Sequence, residues 1–140
     1  IILFTLIIME YQFPNNISPT DKQFDLFISH LIHYNELNTK PGPLIDINDI
    51  SLLNNEISLS INCRRTNYKS SLVNGFYLLG KVMDLGYFDF EKLKVILNIS
   101  TNPPKKLSSS FPVETILDFS NQKLNVKKFI KMINLQEERN

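Results

Sequence analysis

The chain has 140 residues and a formal net charge of +1, enough for one domain with a buried core plus an extension and too little for two ordinary domains. The charge is unevenly spread: residues 1–55 hold two Lys against six Asp and Glu, and residues 56–140 hold thirteen Lys and Arg against eight, so a polyanion partner would meet the second half. The single cysteine, Cys63, excludes an internal disulfide, and two His complete no zinc ligand set, so a reduced, buried thiol in a reducing compartment is expected.

IILFTLII at residues 1–8 is apolar but meets Glu10 soon after. A membrane span needs roughly 20 apolar residues, so none is expected here. A signal peptide would need a basic front and a longer apolar run. A strand, or a segment packed on a neighbour, is the expectation. Residues 15–19 read as a loop. Thr20 and Gln23 then form a capping-box pattern, and Phe24, Phe27, Ile28, Leu31 and Ile32 follow at helical spacing, which predicts a helix over 21–34. Residues 38–43 end it and form a linker. LIDINDISLL at 44–53 is ambiguous between a strand and a helical turn. Residues 1–55 thus read as an N-terminal helical extension attached to a domain over 56–140.

From residue 56 the pattern sharpens. Ile57, Leu59 and Ile61 alternate with Ser58, Ser60 and Asn62, predicting a strand over 56–62. Asn67 is placed to cap a helix over 68–85 with Leu72, Phe76, Leu79 and Met83 on one stripe, and Gly86 to stop it. Leu93, Val95, Leu97 and Ile99 mark a second strand over 92–100. Residues 100–110, rich in Ser and Pro, read as a loop. Val113, Thr115, Leu117 and Phe119 alternate, predicting a third strand over 112–119. Ser120 or Asn121 then opens a helix whose apolar side is Leu124, Phe129, Ile130 and Ile133. The order β-α-β-β-α predicts an α+β fold of the ferredoxin-like, split β-α-β plan, with its last strand missing or very short.

No constellation for catalysis stands out, so no enzyme, cofactor or small-molecule substrate is expected. His30 and His33 share a helix face with Glu36 nearby, too few ligands for a metal; surface or partner-facing histidines are the simpler account. There is no Gly-rich phosphate loop. The basic residues carry the chemistry instead. Arg64 and Arg65 follow a strand end and precede a helix start, where guanidinium forks and outward-pointing N–H groups both suit phosphate. Lys69 lies one turn further in. Lys105 and Lys106 are expected at the tip of a hairpin loop. Lys123, Lys127, Lys128 and Lys131 coat the last helix. Solvated surface charge is the alternative account of each set, and the usual one for a lysine stripe. Phe76, Tyr77, Phe88, Phe90 and Phe111 are expected in the core rather than as base-stacking platforms.

These residues resemble a known family. Residues 56–86, an alternating strand, a short polar turn and a long helix ending near Gly, look like the opening of the small-subunit ribosomal protein S-ten. LKVILNIS at 93–100 is similar to its second strand, the Pro-Lys-Lys stretch occupies the place of its hairpin loop, and FPVETILDF at 111–119 looks like its returning strand, with Thr115 and Leu117-Asp118 at the matching places. The resemblance covers roughly residues 56–135. It implies a non-catalytic RNA-binding protein in the head of the small subunit, and nominates Lys105, Lys106, the 100–110 loop, Arg64 and Arg65 for RNA. The chain departs from the family in having Ser58 and Ser60 where basic residues are usual, Arg65 where an acidic one is common, and no counterpart for residues 1–55. Residues 69–90 are also similar to the helix and Gly-aromatic step of small-subunit protein S-eight, but the residues after 100 do not follow that family. The absence of Ala and Trp beside seventeen Ile and sixteen Asn suggests a very AT-rich gene. With Ile in first place, it points to an organelle genome, with a poxvirus or a parasite nucleus as rival source. The expectation is a structural component of the mitochondrial small ribosomal subunit, in the matrix, whose partners are the small-subunit rRNA and neighbouring head proteins. The alternative is a protein-interaction module without RNA, such as an accessory subunit of an organellar complex or a viral host-modulating protein.

Overall fold

The structure, a computed structural model, describes residues 19–37 and 45–138. The apolar segment 1–8, the loop at 15–18 and the linker at 38–43 lie outside the described residues. In chain order the elements are α1 (Pro19–Leu37), β1 (Asp46–Leu53), β2 (Glu56–Cys63), α2 (Tyr68–Met83), β3 (Lys92–Ile99), β4 (Lys105–Pro112), α3 (Val113–Ser120), α4 (Val126–Met132) and β5 (Gln136–Glu137). The fold is α+β. Among the described residues, four helices pack with a mixed sheet of order β1-β2-β3-β4-β5. This arrangement is compatible with the expected split β-α-β plan preceded by an N-terminal helix.

β2 and β3 form because each has one fully apolar face. Ile57, Leu59, Ile61 and Cys63 on β2 and Leu93, Val95, Leu97 and Ile99 on β3 are all buried. The two strands are parallel neighbours, with Ile57 opposite Leu93 and Cys63 opposite Ile99. A parallel pair needs a long crossover, and α2 supplies it. Gly75 lets that helix sit close: a Cβ there would come within 2.7 Å of Ile61 Cδ1. Gly86 ends the connection at a φ of 79°, a conformation that suits glycine. Phe76, Phe111, Phe119 and Phe129 form the centre of the core. Phe119 stacks on Phe129 at 4.1 Å, and Phe76 meets Phe111 edge-on at 5.2 Å. The other sheet face carries Ser58, Ser60, Asn62, Lys94 and Asn98, each at least partly exposed.

The ambiguous 44–53 segment is a strand. β1 pairs antiparallel with β2 through Asn54 and Asn55, at φ 51° and 63°. Two consecutive positive φ values in a two-residue hairpin suit Asn, which tolerates the left-handed region. The expected boundary between residues 55 and 56 therefore falls in a hairpin turn. α1 also joins the domain: Phe27 and Leu31 are buried, Phe27 meets Phe88 and Phe90 edge-on, and the Asn35 amide makes two hydrogen bonds to the backbone of Ile45. Gln23, expected to close a capping box, is engaged elsewhere, its Oε1 accepting from the Asp89 N–H at 3.3 Å.

The second half corrects three expectations. The loop expected over 100–110 is shorter, because residues 105–112 are β4. Its inward positions Leu107, Ser109 and Phe111 lie opposite Leu97, Val95 and Leu93, and the serine hides the alternation. The strand expected over 112–119 is the helix α3. Val113, Ile116, Phe119 and Ser120 are its buried side, at helical spacing, with Pro112 at its N-cap and Glu114 in its first turn. The last helix does not open at Ser120 or Asn121: Gln122 sits at φ 65°, and α4 starts after Asn125, whose Oδ1 accepts the Lys128 N–H at 2.8 Å. The last strand is very short, β5 pairing two residues with β4.

Candidate nucleic-acid interface

The parallel strands end together. Cys63 and Ile99 are paired, so the turn 64–67 and the connection 100–104 leave the sheet at one edge. β4 returns there antiparallel, placing Lys105 opposite Ile99 and Lys106 opposite Asn98. Sheet register thus brings Arg64, Lys105 and Lys106 together from positions some forty apart in sequence. They line an open groove of about 760 Å³ with Asn62, Asn98 and the first two turns of α2. Crevices beyond the carboxyl ends of parallel strands are a recurrent place for ligands in sheets of this kind.

The lining is cationic and rich in neutral hydrogen-bonding groups. Arg64, Lys105 and Lys106 face it, and Asp46 is the carboxylate among the lining residues. Neither Arg64 nor Lys105 makes an ion pair among the described residues. Lys106 feels Glu138, whose carboxyl is held below its ordinary value first by a hydrogen bond to Lys94 and then by smaller contributions that include Lys106. Asn67 differs from its expected role. Its Oδ1 turns back to accept the Arg64 N–H at 2.8 Å, fixing the turn that carries the arginine. α2 consequently has no side-chain cap, leaving first-turn N–H groups beside the groove for an outside acceptor. Asn98 is held by its own bond to Ser60 Oγ at 2.7 Å. Cys63, also in the lining, is a free thiol that burial pushes up from its ordinary value.

The expected RNA residues separate into three places. Arg64, Lys105 and Lys106 converge, although Lys105 and Lys106 start a strand rather than crown a projecting loop. Arg65 is exposed on the same turn but does not line the groove. Lys69 lines a different, apolar groove between α2 and α4. Lys127, Lys128 and Lys131 are exposed on α4 and do not line the basic groove. Sequence reasoning missed Asn67, Ser70, Ser71 and Asn74. Their spacing of 0, 3, 4 and 7 was legible as a polar helix stripe. Asp46, Asn62 and Asn98 had no local signal, because only strand pairing brings them together.

Among the described residues, no three His, Cys, Asp or Glu side chains gather as a metal site, and no helix is long and apolar enough to cross a membrane. His30 packs near Tyr87 and Phe88, with ring centroids at 6.2 and 6.3 Å. Burial, and secondarily His33, hold it below the ordinary imidazole value. The basic groove's cations, amides and hydroxyls are of the kinds that pair with phosphate oxygens. No protein family, curated protein or solved structure matches the chain.

Proposed function

We propose that this protein is a non-catalytic RNA-binding component of a ribonucleoprotein particle, the mitochondrial small ribosomal subunit, and that the groove beyond β2 and β3 holds the RNA backbone. The observation that carries this is the convergence of Arg64, Lys105 and Lys106 on one open groove beside the uncapped start of α2. Three cations against one carboxylate, Asp46, leave the groove a net attraction for phosphate, and the surrounding amides and hydroxyls suit phosphate oxygens and ribose 2′-hydroxyls. An open groove along a sheet edge fits a polymer better than a small enclosed anion. The ribosomal setting, with rRNA and head proteins as partners in the matrix, rests on the S-ten resemblance of residues 56–100. It draws nothing from residues 111–119, which form a helix and not a returning strand.

Sedimentation of organelle lysate tests the setting. The protein should co-migrate with a large particle and leave it on ribonuclease treatment. A chain carrying Arg64→Glu, Lys105→Glu and Lys106→Glu should stay in the light fractions while remaining folded. Migration in a smaller complex indifferent to ribonuclease would overturn the ribosomal setting and favour the protein-only alternative.

A further inference from the structure

A second surface has a different chemistry. Val126, Ile130 and Ile133, at helical spacing on α4 and just after it, face Leu72 and Val73 of α2 across a groove of about 640 Å³, with Leu135 completing it. The groove is open and apolar. Val126 is 51% exposed and Ile130 49%, a cluster of aliphatic surface that water disfavours. It is also preformed. Phe129, on the adjacent face of α4, is fully buried and stacked on Phe119, so α4 is anchored from its other side. The volume lies within the range of real binding clefts.

The rims are basic. Lys69 lines the α2 side. On α4, Lys127 and Lys131 each follow a groove residue, Val126 and Ile130, and one residue along a helix is a turn of about 100°, which sets them on the outer flank. Among the described residues, no carboxylate lines the groove. We propose that this groove docks the apolar face of an acidic amphipathic helix supplied by a protein partner. Two facing helices present a concave, aliphatic trough, which takes apolar anchors at i, i+3, i+4 and i+7. Flanking lysines select Asp and Glu beside those anchors and steer their approach. RNA fits poorly, because most of the described lining is aliphatic and offers neither phosphate nor a base edge a hydrogen bond. A bilayer fits poorly, because a flat surface does not enter a trough. The inference does not rest on the RNA groove, which the apolar groove adjoins at Ser70 and Asn74: Lys69, Lys127 and Lys131 move from the RNA surface to a protein interface.

The test is a selection of random 16-residue peptides displayed on phage against the full 140-residue chain, followed by fluorescence titration of the enriched peptides. The expected binders are net acidic with Leu, Ile, Phe or Met at helical spacing. Their affinity should fall about tenfold or more with Ile130→Glu, and several-fold with Lys127→Glu combined with Lys131→Glu. Ile130 is half-exposed, so its variant should fold; if it does not, the exposed lysine pair decides the question by itself. RNA oligomers and anionic phosphatidylserine vesicles are titrated in parallel. Failure to enrich, enrichment of basic or unpatterned peptides, or insensitivity to both variants would overturn the proposal. So would RNA or vesicle binding that these variants abolish.

Discussion

Gly80 lets α2 pack tightly on α3. A Cβ there would lie 2.6 Å from Ser120 Cβ and 3.0 Å from the Ile116 carbonyl oxygen, and backbone cannot rotate aside. Gly80→Ala should therefore destabilise the fold by about 1–3 kcal/mol in denaturant unfolding, more than its gain in helix propensity. At Gly75 the nearest atom is Ile61 Cδ1, the end of a flexible side chain, so Gly75→Ala should cost less; the reverse ranking would contradict this packing. His30 makes a prediction in pH. Its folded value is lowered, by burial first and by His33 second. The unfolded chain, with a value of about 6.5, then takes up the proton first. The stability contributed by neutral His30 is thus complete above that value and is lost as pH falls from there through the folded value. Ring-proton NMR should give His30 a midpoint below about 6.5, and His33→Gln should raise it. A midpoint at or above the free value would contradict the packing against Tyr87 and Phe88.

At the scale of elements, β2 and β3 were legible because a single buried face imposes strict alternation on eight residues each. α1 and α2 were legible from their apolar stripes. Residues 105–120 were misread for a physical reason. Ser109 is small and polar yet points inward, so β4 lost its signal. Val113, Thr115, Leu117 and Phe119 alternate by accident, while the buried set is Val113, Ile116, Phe119 and Ser120. The two assignments differ most at neighbouring positions. Ile116 is fully buried in α3 and Thr115 is not. Ile116→Ala should cost about 2–5 kcal/mol, and Thr115→Ala less than about 0.5 kcal/mol, in the same unfolding measurement. The opposite order would restore the strand. The candidate site was partly legible for the same kind of reason. Arg64 announces itself at a strand end before a helix, whereas Asn62, Asn98 and Asp46 meet only through register.

Among the described residues, a mixed sheet carries helices on one face, and two of the grooves are of opposite character. The basic groove sits at the edge where β2, β3 and β4 change direction, and the apolar one lies between α2 and α4. Both grooves draw their cations from the basic second half of the chain. The central claim is that Arg64, Lys105 and Lys106 together hold an RNA backbone. Affinity of the full chain for a single-stranded RNA oligomer, measured across a salt series, tests it most directly. Three phosphate contacts predict that log affinity falls with log salt at a slope of about −2. Replacing the three cations with Gln should bring the slope near zero and remove most of the affinity. An unchanged slope in that variant, or no RNA binding at low salt by the native chain, would contradict the account.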